Sequence, residues 1–174
     1  VQKDHLHIGG KKVRYLSERD PRNLPWKELH IDVVIESTGF FTNREDAEKH
    51  IIAGAKTVVI SGPTKSEDTP TVELGVNTAD GKVSIFSCAS CTTNSISPLI
   101  EILGRRIGIK KAILNTTHAY TASQSLVDGP SRKELRMGRA AGMNLAPAHT
   151  GAAIATTRAL PQYAGKFDGI AVRS

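Results

Sequence analysis

Aromatic residues are scarce in this 174-residue chain, at 5%, with a single tryptophan. Binding of single-stranded nucleic acid needs aromatic platforms beside a basic groove, so the composition argues against it. Cysteine is scarcer still. Two cysteines, Cys88 and Cys91, cannot build a disulfide scaffold at this size and point to a reducing, cytoplasmic setting. No apolar run approaches the roughly 18 residues that a membrane helix needs. A secretory leader is missing too, since Val1-Gln2-Lys3-Asp4-His5 is polar and charged from the start. The first residue is Val, so the sequence reads as beginning part-way through a longer protein. Its closing stretch, Gly169 to Ser174, reads as a strand cut short.

What remains is an ordinary globular composition, 39% apolar and 23% charged. The net charge is +6, from 23 basic and 17 acidic residues. The basic residues cluster at Arg105-Arg106 with Lys110-Lys111, and again from Arg132 to Arg139. A solvated basic face is the plainest reading, and anionic small substrates are the functional one.

Periodicity predicts an α/β chain. A strand is expected around Lys11–Leu16, followed by the polar turn Ser17-Glu18-Arg19-Asp20-Pro21. Asp32-Val33-Val34-Ile35-Glu36 is a β-branched strand stopped by Ser37-Thr38-Gly39. Asn43 can cap a helix with Glu45 and Asp46 in its first turn, and Gly54 can end it. A second strand, Thr57-Val58-Val59-Ile60, stops at Ser61-Gly62-Pro63. Strand, helix and strand at this length make a right-handed βαβ unit. Its apolar runs predict strands buried on both faces. A third strand is expected at Val83–Ser87 and a helix after the cysteines, with Pro98 in its first turns, Ile96, Leu99, Ile100 and Leu103 on one face and Gly104 at its end. Lys111–Thr117 reads as a strand leading into His118, and Thr150-Gly151-Ala152-Ala153 opens another helix. Ligands of open α/β sheets bind beyond the strands' carboxyl ends. That places Ser37-Thr38-Gly39, Ser61-Gly62-Pro63 and Ser90-Cys91-Thr92 in one expected crevice. No Gly-x-Gly-x-x-Gly loop is present.

Cys91 is the leading candidate for chemistry. It falls at or beside a helix N-terminus, where unpaired N–H groups and the positive dipole end stabilise a thiolate. A histidine could pair with it, and His118 ends a strand of the same layer. The plainer readings are a small buried thiol and a hydrogen-bonded structural histidine. Cys88-x-x-Cys91 also fits a dithiol redox pair or half a zinc site, although no second cysteine pair completes the zinc set. Hydroxyls recur at Ser90, Thr92, Thr121, Ser123 and Thr150, and with helix-start N–H groups and Arg173 they could hold a phosphate.

In combination these segments resemble the phosphorylating glyceraldehyde-3-phosphate dehydrogenases. Ser90-Cys91-Thr92-Thr93-Asn94 is similar to that family's active-site signature, and His118-Ala119-Tyr120-Thr121-Ala122 to its histidine segment at the family's spacing. Asp128-Gly129-Pro130-Ser131, Thr150-Gly151-Ala152-Ala153 and Arg173 follow in the family's order. Upstream, Ser17–Pro21, Glu36-Ser37-Thr38-Gly39 and Gly75-Val76-Asn77 match as well. The resemblance covers nearly the whole chain but only about the middle half of a family member.

The resemblance implies an α/β fold: the second half of a Rossmann-type dinucleotide-binding domain over 1–90, then the start of an α+β catalytic domain over 91–174. It implies that Cys91 attacks the aldehyde to form a thiohemiacetal, with His118 as base, and that inorganic phosphate cleaves the resulting thioester to an acyl phosphate. Ser90, Thr92, Thr150 and Gly151 match positions around the attacking phosphate. Thr121 and Arg173 match positions near the phosphate of the substrate, glyceraldehyde 3-phosphate. Arg19, Thr38, Gly39 and Ser61 match positions lining the cofactor, NAD, with NADP left open because the residue that reads the adenosine ribose would precede Val1. The resemblance also implies a homotetramer and a place in glycolysis or gluconeogenesis; the residues themselves point to no metal, no membrane and, with so few aromatics, no nucleic-acid partner. With half a cofactor site missing, the chain alone need not be active. Departures from the family pattern are Cys88 for Asn, Ser95 for a second Cys, Met137 for Arg, His149 for a small hydroxyl residue and Ile154 for Lys. Two further readings stay open here: a non-catalytic basic α/β binding module, and a dithiol protein using Cys88 and Cys91.

Overall fold

The computed structural model of the chain describes residues 4–131 and 134–174. Val1 to Lys3 of the polar opening, and Arg132 and Lys133 of the second basic cluster, lie outside the described residues. The chain forms two compact units: residues 1–69 with 80–87, and residues 70–79 with 88–174. Among the described residues no helix is long and apolar enough to cross a membrane.

The first unit opens with a hairpin of β1 (His5–Ile8) and β2 (Lys11–Arg14), paired antiparallel. The sequence reading missed β1. Its signal was Gly9-Gly10, both at positive φ (54° and 78°), which lets a two-residue turn follow the strand twist. The expected βαβ unit is present. Strands β3 (Val33–Glu36), β4 (Thr57–Ile60) and β5 (Ile85–Ser87) form a parallel sheet in that order. Helix α1 (Arg44–Ile52) starts at Asn43, whose side chain accepts the Asp46 amide, and Gly54 follows its end at φ 109°. Val34, Ala47, Ala55, Val58, Ile60 and Ile85 make the core, with Trp26, Ile31 and Ile51 against it.

One expectation fails. β3 is buried on one face only, since Val34 and Glu36 are inside while Val33 and Ile35 are 53% and 68% exposed. Helix α1 covers one face, and among the described residues nothing equivalent covers Val33 and Ile35. A run of β-branched residues records that a strand suits both faces, not that both are covered.

The second unit packs α2 (Cys91–Ile107) and α3 (Ala152–Ala159) with a sheet ordered β6 (Ala112–His118), β8 (Phe167–Arg173), β7 (Ala146–Ala148). β6 and β8 are parallel, with His118 opposite Arg173, and β7 runs antiparallel to β8. Helix α2 does not stop at Gly104. It ends at Gly108, φ 77°, and Gly104 lies inside because the Tyr163 ring packs where a Cβ would sit. Pro98 is the helix's eighth residue and so interior, not in the first turn. The buried stripe of α2 is Thr93, Ser97 and Ile100, whereas Leu99 and Leu103 are about half exposed, at 53% and 46%. Ser97 is buried because its hydroxyl bonds the Thr156 hydroxyl of α3 at 3.0 Å, which removes the cost of taking both groups from water.

Candidate active site

Cys91 is the first residue of α2. Ser90 caps the helix, its hydroxyl accepting the Thr93 amide at 3.1 Å. A cap of this kind contributes about 1 kcal/mol. Asn94 ties the turn from the other side, its Nδ2 donating to the carbonyls of Cys88 (2.6 Å) and Ser90 (2.9 Å). Between them Ala89 is left-handed at φ 59°, an uncommon conformation for a residue with a Cβ. The entry to the helix is therefore held by side chains and bent at Ala89. Cys91 is exposed, Cys88 is half-buried, and both are free thiols.

Across from the helix start, β6 delivers His118. Alternation along the strand puts His118 on the same half-buried face as Leu114 and Thr116. Its backbone is held by Ser174, whose amide donates to the His118 carbonyl at 2.9 Å. The Nε2 atom stands 3.6 Å from Cys91 Sγ, a sulfur hydrogen bond. Thr92 Oγ1 lies 4.0 Å from the same sulfur. Together Cys91, Thr92, Ser95, Ile96 and the end of β6 line an open cleft of about 490 Å³. A nucleophile and a base at hydrogen-bond distance above a helix N-terminus can carry acyl transfer through a thioester.

Of the sequence candidates, Arg173 also reaches this centre. Its Nη1 is 2.7 Å from His118 Nδ1 and 3.4 Å from the Ala119 carbonyl. Arg173 also lines a second depression with Ser123, Ser131, Met137 and His149. Thr121 accepts from neither cysteine nor histidine; its hydroxyl pairs with Ser123 at 2.9 Å. Thr150 and Gly151 stand at the start of α3, where Gly151 is the cap residue and Thr150 Oγ1 accepts the Ala152 amide at 3.1 Å. Asn94 and the Ala119 carbonyl were not singled out from the sequence. Asn94 had a signal in its place four residues beyond the capping serine; a backbone carbonyl leaves none.

The remaining candidates lie in the first unit. Thr38 and Gly39 follow β3, and Ser61 follows the adjacent β4, its amide donating to the Glu36 carbonyl at 2.9 Å. Gly39 has φ 76° and open space where a Cβ would point. Arg19 sits on a loop braced by Glu18, whose carboxylate accepts the amides of Arg19 (2.7 Å) and Asp20 (3.0 Å). The Arg22 guanidinium beside Asp20 holds that carboxyl down at about 2.

The chain matches two domain models of one family. Residues 90–174 match "Glyceraldehyde 3-phosphate dehydrogenase, C-terminal domain", and residues 1–44 match "Glyceraldehyde 3-phosphate dehydrogenase, NAD binding domain". It is 51% identical over 173 residues to glyceraldehyde-3-phosphate dehydrogenase of Chlamydia pneumoniae, covering 98% of this chain and 51% of that one. The Streptomyces coelicolor protein of the same name is 49% identical over 98% of this chain and 51% of its own. The chloroplastic A form of Chlamydomonas reinhardtii is 47% identical over 99% and 46%. The chain thus spans about half the length of the curated relatives it matches.

Proposed function

Because the chain belongs to the glyceraldehyde-3-phosphate dehydrogenase family, we propose that the whole protein is a phosphorylating dehydrogenase of glyceraldehyde 3-phosphate. The observation that carries this reading is Cys91 Sγ at 3.6 Å from His118 Nε2, on the first turn of a helix. The Cys91 thiolate attacks the aldehyde carbon and forms the C–S bond of a thiohemiacetal. His118 Nε2 takes the hydroxyl proton as the carbon is oxidised, which leaves a thioester on Cys91. Inorganic phosphate then attacks the thioester carbonyl; the C–S bond breaks, the thiolate returns and an acyl phosphate leaves.

NAD, when bound, supplies the hydride acceptor. The residues offered to it fit: two polar loops end neighbouring parallel strands, Gly39 leaves its approach unobstructed, and Ser61 presents an exposed hydroxyl. Arg19, Thr38, Gly39 and Ser61 form this side of the site, and NADP remains the alternative nucleotide. Ser90, Thr92, Thr150 and Gly151 serve the attacking phosphate, while Thr121 and Arg173 serve the substrate's phosphate. In this reading the cofactor domain runs over 1–90 and the catalytic domain over 91–174, and the whole protein is a cytoplasmic homotetramer. The geometry does not favour a dithiol function, because among the described residues the groups at the Cys91 sulfur are His118 and Thr92, not Cys88.

The test is NADH formation from glyceraldehyde 3-phosphate, NAD and inorganic phosphate by the whole protein. Cys91→Ser should abolish it. Turnover that survives this change would sink the assignment of Cys91 as nucleophile.

A further inference from the structure

The first unit contains a polar chain that the reaction described above does not use. Trp26 Nε1 is 3.0 Å from His50 Nδ1, and His50 Nε2 is 3.0 Å from Glu36 Oε2. The other carboxylate oxygen, Oε1, accepts the Thr38 amide at 2.7 Å and the Thr38 hydroxyl in a short hydrogen bond. That hydroxyl oxygen in turn accepts the Phe40 amide at 3.1 Å. Glu36 is 3% exposed and His50 5%. Trp26 stacks on the His50 ring, and Phe41 meets it edge-on.

The direction of the two bonds at the His50 ring follows from the indole, which can only donate. Indole has a single N–H and no acceptor. His50 Nδ1 must therefore accept, the ring proton sits on Nε2, and Nε2 donates to Glu36. The Glu36 carboxyl group then receives three donors, the ring N–H, the Thr38 amide and the Thr38 hydroxyl. Thr38 gives its hydroxyl proton to Glu36 and turns its lone pairs to Phe40. The conformation of residues 37–40 is thus specified from Trp26 outward.

Stability alone does not account for this arrangement. Burying polar side chains costs free energy that their hydrogen bonds only offset, and the neighbours Val34, Val58 and Ile60 show that the layer accepts aliphatic side chains. What the polar chain adds is a single geometry for the loop after β3.

We propose that Trp26, His50 and Glu36 form a relay of fixed tautomer that sets the Thr38-Gly39 loop in the conformation that receives the dinucleotide, with His50 as the positioning residue. This rests on the reading of Thr38 and Gly39 as cofactor-facing. His50 touches no substrate; it acts through Glu36.

Three variants separate the roles. Gln in His50→Gln offers a carbonyl to Trp26 and an amide N–H to Glu36, replacing both functions of the ring. Leu in His50→Leu fills space and offers neither. Glu36→Gln replaces one accepting oxygen by an NH2, which faces a donor in either orientation, the His50 Nε2–H or the Thr38 amide. In the whole protein, His50→Leu and Glu36→Gln should weaken NAD binding by about tenfold, the usual effect of losing a hydrogen bond to a charged group. The KM for aldehyde and turnover at saturating NAD should hold, and His50→Gln should bind NAD within about twofold of the unaltered protein. Hydrogen exchange at the Thr38 amide, followed by NMR, should speed up in His50→Leu and Glu36→Gln and not in His50→Gln. Unchanged Thr38 exchange and NAD affinity in His50→Leu overturn the inference. So does a His50→Gln protein as impaired as His50→Leu, which would mean packing alone. If Thr38 exchange responds but the unaltered protein binds no NAD, the loop is not a cofactor site, and both the reading and the inference built on it fall.

Discussion

His118 Nδ1 lies 2.7 Å from the Ala119 carbonyl and 2.7 Å from Arg173 Nη1, two groups with opposite demands. The carbonyl needs a proton on Nδ1. The guanidinium, which can only donate, needs a lone pair there. The ring can satisfy one of them, and the choice decides what Nε2 presents to the Cys91 sulfur. With Arg173 engaged, Nε2 carries the proton and donates to a thiolate. With Arg173 withdrawn, Nδ1–H turns to Ala119 and Nε2 becomes a free base.

Arg173→Met should therefore shift the ring toward the Nδ1–H tautomer. A hydrogen bond to a charged group is worth about 1.5–3 kcal/mol, so the population change is roughly ten- to a hundredfold. Nitrogen-15 NMR of the His118 ring reads the tautomer directly. An unchanged ring spectrum would mean that Ala119, not Arg173, already holds Nδ1.

His118→Asn should lower turnover of the whole protein by roughly 10²–10⁴, the usual worth of a positioned general base. It should also slow alkylation of Cys91 by iodoacetamide at neutral pH. Equal alkylation rates in both proteins would show that the pair is not coupled.

Cys88→Ser should leave Cys91 alkylation and turnover close to unaltered. The contact that Cys88 makes to the helix entry runs through its backbone carbonyl, which Asn94 holds at 2.6 Å. A dithiol mechanism would instead lose all activity. Mass spectrometry of labelled peptides distinguishes the two thiols.

Glu73 supplies a pH-dependent test of stability. It is 1% exposed, and neither carboxyl oxygen makes a hydrogen bond of standard geometry. Burial pushes its carboxyl above the ordinary value, and the Ser97 hydroxyl nearby offsets part of that rise. A raised acid favours the folded state below its unfolded value and disfavours it as pH climbs through the folded one. Glu73→Met should accordingly stabilise the protein by about 1–3 kcal/mol at pH 7, the cost of an unsatisfied buried group. The gain should shrink toward pH 4, near the free carboxyl's value of about 4.3. Thermal melts at the two pH values decide it; a gain that is larger at pH 4 would reverse the sign and refute the account.

The parts of the fold that could be read from the sequence were those with local causes. β4 was expected at Thr57–Ile60 and is found there, because a β-branched run meets Ser-Gly-Pro. Helix α1 was legible because Asn43 caps it and acids follow. The buried face of α2 was not. Its inward residues include Thr93 and Ser97, hydroxyls whose partners come from elsewhere in the chain or from the cap, whereas Leu99 and Leu103 look like core and face outward. Cys91 and His118 could be nominated from residue type and position, but their 3.6 Å approach depends on a sheet and a helix packing together. The Trp26–His50 bond, 24 residues apart, had no local signature at all.

The pairing of β6 with β8 sets His118 opposite Arg173 across 55 positions of sequence. In a parallel ladder the distance between partners is fixed by register and not by the length of chain between them. The loops between β6 and β8, outside β7 and α3, can therefore lengthen or shorten without moving either side chain. A slip of one residue in β8 is another matter, since it would bring Val172 or Ser174 to the histidine and turn the guanidinium to the opposite face. The pair is therefore tolerant of insertion in those loops and intolerant of insertion within the strands.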